Sequence, residues 1–160
     1  MWIGKGYGMK IQINKKAPDF KLASTSHKIF KLSDIKNGVV IYFYPKDNTP
    51  GCTLETRDFS KLYSKFKAAK YEVVGVSKDN MESHLKFKKR YKVPFQLLSD
   101  DKKQVQKKYG VWGTKSFMGK KFMGTIRSTI LVNEGKIVKI WANVRVKDHA
   151  KEVLNFINSK

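Results

Sequence analysis

The chain has 160 residues, 41% of them hydrophobic, enough to bury a core without cross-links and too few for two comfortable domains, so residues 1–160 are read as one domain. Its longest apolar run, Val39–Tyr44, falls far short of the roughly 20 residues of a membrane span, so a soluble protein with no membrane partner is expected. The formal charge of +21 raises nucleic acid or another polyanion as a partner, but Arg stands only at positions 57, 90, 127 and 145, and a dispersed Lys coat with at most non-specific anion affinity is preferred.

Residues 1–8 carry neither the apolar stretch of a secretory signal nor the Arg- and Ser-rich character of a transit peptide. They are read as a possible flexible extension, and the location as cytoplasmic. A strand or hairpin region is expected around Lys10–Ile13 and Phe20–Leu32. Val39–Tyr44 is a continuous β-branched and aromatic run, the pattern of a central strand buried on both faces. A helix then starts with Thr49 as N-cap and Pro50 at its first position, and Phe59, Leu62, Tyr63, Phe66 and Ala69 recur on one buried face.

Val73–Ser77 reads as a second buried strand and Asn80–Tyr91 as a helix that Pro94 closes, which makes a parallel crossover. Phe95–Leu98 is a short strand and Lys102–Tyr109 a short helix. Trp112–Thr125, punctuated by glycines, is expected to be a loop forming a mobile or packed flap. Ser128–Val132 and Lys136–Val144 form two strands joined at Asn133-Glu134-Gly135, with Gly135 at positive φ. Asp148–Ile157 closes the chain as a helix with Ala150, Val153, Leu154 and Ile157 inward. The alternation is that of an α/β fold with helices on both faces of a mixed sheet.

One cysteine cannot form an internal disulfide, which suits a reducing compartment. A lone cysteine is more often an inert buried residue than a nucleophile. Cys52, however, falls in the first turn of a helix, where unsatisfied N–H groups favour the reactive thiolate. The three histidines, His27, His84 and His149, are far apart in sequence and lack companions at ligand spacing, so a metal site is not expected.

Pro45, Thr49 and Cys52 fill the pattern Pro-x-x-x-Thr-x-x-Cys, which resembles the active-site motif of peroxiredoxins. The longer run Pro-Lys-Asp-Asn-Thr-Pro-Gly-Cys-Thr is similar to the subgroup called bacterioferritin comigratory proteins or Q-type peroxiredoxins. Ala17-Pro18-Asp19-Phe20, Tyr109-Gly110-Val111-Trp112-Gly113 and Gly124-Thr125-Ile126-Arg127-Ser128-Thr129 extend the similarity over nearly the whole chain. The resemblance implies a thioredoxin-like fold, with a central mixed β-sheet flanked by helices and the N-terminal extension of that family. It also implies a thiol-dependent peroxidase for hydrogen peroxide and organic hydroperoxides, without cofactor or metal.

By the same resemblance Cys52 is the peroxidatic cysteine and Thr49 the hydroxyl that bonds sulfur and peroxide. Pro45 shields the pocket, and Arg127 is a distant guanidinium facing the sulfur. Backbone N–H groups at Gly51 and Cys52 add donors, and Glu55, one turn after Cys52, is a candidate Arg partner. Many Q-type relatives carry a resolving cysteine five residues after the first, and here that position is Arg57. The implied cycle therefore uses an external thiol: thioredoxin, glutaredoxin or a low-molecular-weight thiol. A monomer or weak homodimer is implied. The second reading is a basic protein that associates with nucleic acid or another polyanion on the same scaffold.

Overall fold

A computed structural model of the chain describes residues 11–160. The extension expected over residues 1–8 and Lys10 of the first expected strand lie outside the described residues, and Ile11–Ile13 is not a strand. Ile11 is nevertheless buried in the core, and backbone bonds of Asn14 and Lys15 to Ile137 tie this segment alongside a sheet strand.

The strands in chain order are β1 (Lys21–Ser24), β2 (Ile29–Lys31), β3 (Gly38–Phe43), β4 (Tyr71–Ser77), β5 (Gln96–Ser99), β6 (Trp112–Phe117), β7 (Lys120–Thr125), β8 (Ser128–Asn133) and β9 (Lys136–Trp141). The α-helices are α1 (Pro50–Ala68), α2 (Met81–Tyr91), α3 (Gln104–Lys108) and α4 (His149–Asn158). Seven strands form one mixed sheet in the order β2-β1-β5-β4-β3-β8-β9, and β6 and β7 make a separate two-stranded ribbon. The chain thus has the thioredoxin-like fold that its sequence resemblance implies, with β3, β4 and β5 parallel at the centre.

The continuous apolar run of β3 is explained by its two neighbours and two covered faces. Val39, Ile41 and Phe43 join a core with Val105 of α3, Tyr109 and Val111. Val40, Tyr42 and Tyr44 face the opposite way, among Phe59 and Phe66 of α1, Phe87 of α2 and Ala150 and Val153 of α4. Period-two alternation between two apolar layers leaves no polar position in such a strand. Tyr42 stacks on Phe59 with ring centroids 4.7 Å apart, which fixes α1 over the sheet.

Two further expectations are corrected. Trp112–Thr125 is a β-hairpin, paired from Trp112↔Thr125 to Phe117↔Lys120 and turned by Met118 and Gly119, both at positive φ. Two left-handed turn residues match the right-handed twist of a tight hairpin, and the Met-Gly pair hides that signal from the usual Asn-Gly pattern. The strand expected to reach Val144 ends at Trp141, beyond which Val144 N–H bonds Arg127 O. At the other turn, Glu134 and Gly135 take the positive φ expected there.

Candidate active site

The site lies at the carboxyl end of β3. Phe43, the last residue of β3, pairs with Ser128, the first residue of β8, so Arg127 stands beside the loop that leads from β3 into α1. Thr49 is the N-cap by position and Pro50 opens the helix. The first α1 hydrogen bond runs from Thr53 N–H to Thr49 O at 2.9 Å. The N–H groups of Gly51 and Cys52 therefore have no acceptor within the helix and carry its positive end.

Cys52 is buried, and its sulfur accepts a hydrogen bond from Arg127 Nη2 at 3.3 Å. The other arm of the guanidinium, Nη1, donates to Glu55 Oε1 at 2.6 Å. Arg127 thus bridges the sulfur and a carboxylate one helical turn away, a two-acceptor geometry that a planar fork provides and an ammonium does not. Burial works against the charge on Arg127, but the facing Glu55 and Cys52 outweigh it and raise the guanidinium above its ordinary value.

Glu55 shows the opposite balance. Its burial dominates, Arg127 offsets only part of it, and the carboxyl is pushed up to about 7. Its second oxygen, Oε2, has no hydrogen-bond partner among the described residues, so nothing on that side compensates for lost water. Gly51 leaves room for the guanidinium: a Cβ there would stand 3.3 Å from Arg127 Nη2. Lys115, half-buried, donates to Thr125 O at 2.9 Å. Burial lowers its ammonium and repulsion from Arg127 adds to this, while the charge on Cys52 pulls the other way.

Of the residues singled out from sequence, Cys52, Arg127, Glu55 and Gly51 meet here. The Thr49 side chain does not cap α1; its hydroxyl donates to Lys46 O at 2.9 Å, and no recorded hydrogen bond joins it to the sulfur. Pro45 is partly exposed at the head of the same loop, and its carbonyl accepts from Lys78 Nζ at 2.9 Å. Arg57 points to solvent on α1.

Sequence spacing missed what holds this loop. Asp47, buried between Pro45 and Thr49, accepts hydrogen bonds from Tyr44 Oη at 2.6 Å, Ser83 Oγ at 2.8 Å and His84 Nδ1 at 2.8 Å. The His84 ring also faces Leu98 O through Nε2 at 2.9 Å, so both ring nitrogens stand against oxygen atoms of the protein. Asp47 N–H in turn bonds Asp79 Oδ2 at 2.8 Å. The nearest ligand atoms of Asp47, Asp79 and His84 lie within 4.8 Å of one another, and each of these residues is engaged in protein hydrogen bonds. The cluster bolts the loop to the start of α2. A buried histidine 37 residues from its carboxylate partner leaves no local sequence signal.

The AhpC/TSA family profile matches residues 13–140. Peroxiredoxin Bcp of Bacillus subtilis is 45% identical over 148 residues, covering 91% of this chain and 94% of that protein. The crystal structure of a cysteine-to-serine mutant of the Xylella fastidiosa protein PrxQ superposes with a TM-score of 0.89 at 33% identity, covering 95% of this chain and 98% of that one. A Xanthomonas campestris bacterioferritin comigratory protein, studied for its alkyl peroxide reduction activity, gives a TM-score of 0.83 at 35% identity over 88% of this chain and 90% of its own. None of these relatives supports the polyanion-binding reading.

Proposed function

This chain belongs to the AhpC/TSA family and is a thiol peroxidase, and from that premise we propose that Cys52 reduces the peroxide in a one-cysteine cycle completed by an external thiol. The observation that carries the reading is the 3.3 Å contact between Arg127 Nη2 and the Cys52 sulfur at the positive end of α1. A cation and free helix N–H groups beside a sulfur stabilise its anion, the species that attacks.

The thiolate displaces along the O–O axis. A sulfur–oxygen bond forms at the attacked oxygen, the O–O bond breaks, and the electron pair departs on the other oxygen, which leaves as alkoxide or hydroxide and takes up a proton. Cys52 is oxidised to sulfenic acid and the peroxide is reduced to an alcohol or water. The charge that grows on the oxygens meets donors already in place: the Arg127 Nη2 group beside the sulfur and the Gly51 and Cys52 N–H groups. Because Thr49 spends its proton on Lys46 O, its oxygen lone pairs are left to accept the hydroperoxide O–H and orient the substrate. The Pro45 ring limits water at the pocket mouth.

No second cysteine exists in the sequence, and Arg57 fills the position five residues on. The sulfenic acid is therefore attacked by an external thiol, which releases water and leaves a mixed disulfide on Cys52. A second thiol then frees the cysteine and departs as a disulfide. The test is peroxide consumption with excess dithiothreitol: the native protein turns over, and Cys52→Ser abolishes turnover. Unchanged consumption by the variant would overturn the assignment.

A further inference from the structure

We infer that the tip of the β6–β7 hairpin is a membrane-surface docking element that inserts shallowly into an anionic lipid headgroup layer. Most large apolar side chains exposed on the described surface belong to this one hairpin: Phe117 is 67% exposed and Met118 85%, with Phe122 and Met123 also open to solvent. Clustering on one projecting element marks an interaction site, whereas single exposed apolar residues do not.

The register shows how the tip is built. Directly paired residues share a face, and Phe117↔Lys120 and Lys115↔Phe122 place both phenylalanines on one face; Thr114↔Met123 places Met123 on the other. Met118 occupies the turn itself. A protein docked against one face would leave the other face's apolar group in water, whereas a lipid interface surrounds the tip and covers both. Outer backbone groups of the two-stranded ribbon are unpaired with other strands, so only shallow insertion, with those groups still hydrated, suits it.

Charge specifies the lipid. Lys120 and Lys121 stand among the apolar residues at the tip, and no Asp or Glu occurs anywhere between Asp101 and Glu134. Apolar groups ringed by Lys, on a chain of net charge +21, complement an anionic surface. The expectation of no membrane partner rests on the shortness of the apolar runs, and no helix among the described residues is long and apolar enough to cross a membrane; neither bears on an element that lies at the surface.

The test is cosedimentation with vesicles of equal parts phosphatidylglycerol and phosphatidylcholine, and with pure phosphatidylcholine, in 0.15 M salt. The native protein binds the anionic vesicles and not the neutral ones. Phe117→Ser combined with Met118→Ser leaves the charge unchanged, weakens anionic-vesicle binding by about tenfold or more, and leaves hydrogen peroxide turnover intact. Equal binding by this variant would mean that the dispersed Lys coat alone is responsible, and would overturn the inference. So would absence of vesicle binding, or self-association of the native protein that the same variant abolishes, which would assign the tip to a second copy of the chain.

Discussion

Replacing Glu55 by Gln isolates the cost of keeping a carboxyl beneath the active-site arginine. The buried group sits at about 7 against an ordinary value of 4.5. Between these values the folded chain holds a proton that the unfolded chain has lost, so Glu55 makes stability fall as pH rises through this window and then level off above it. At about 1.4 kcal/mol per unit the total is roughly 3 kcal/mol, most of which falls between pH 5 and pH 8. The amide keeps an oxygen for Arg127 Nη1 but does not titrate. Urea unfolding of both proteins across that range should show the gap moving in favour of Glu55→Gln by roughly 2–3 kcal/mol as pH rises. Other titrating groups cancel in the difference. A gap that stays constant with pH would refute the claim that burial outweighs Arg127 at this carboxyl.

Arg127→Lys keeps the charge and loses the fork; the second-order rate of Cys52 oxidation should drop about 100-fold in stopped-flow with hydrogen peroxide, and a drop under threefold would remove Arg127 from the reaction. Gly51→Ala puts a Cβ where the structure allows only 3.3 Å to Arg127 Nη2, and should slow the same step about tenfold with a small change in urea midpoint. Asp47→Ala removes the acceptor shared by Tyr44, Ser83 and His84, and should cost about 3–5 kcal/mol in urea unfolding because buried donors lose their partner. At Gly75 an added Cβ would lie 2.7 Å from the Tyr42 ring, so Gly75→Ala should destabilise by about 1–3 kcal/mol through displacement of the Tyr42–Phe59 stack.

The elements that sequence reveals are those whose burial is written in a local period. β3 shows itself because both its faces are covered, and α1 because Thr49 and Pro50 mark its start and Phe59 and Phe66 its buried side. The β6–β7 hairpin lacks such a period: its strands are mostly exposed, and Gly113, Gly119 and Gly124 read as loop punctuation. At the site, the sulfur and its helix are legible from spacing alone. Arg127, 75 residues from Cys52, is selected only by family resemblance, and the structure supplies the reason for it in the pairing of β3 with β8. The Asp47–His84 bolt has neither a local period nor a motif. Thr49 is readable as an N-cap position, but its hydroxyl donates to the Lys46 carbonyl within the loop and not to the sulfur.

Intact-protein mass spectrometry after one equivalent of hydrogen peroxide tests the central claim most directly, with dimedone present as a sulfenic acid trap and peptide mapping to locate it. A single dimedone adduct on Cys52 within seconds, replaced by a mixed disulfide when a small thiol stands in for dimedone, is the expected result. Peroxide consumed while Cys52 stays unmodified would contradict it.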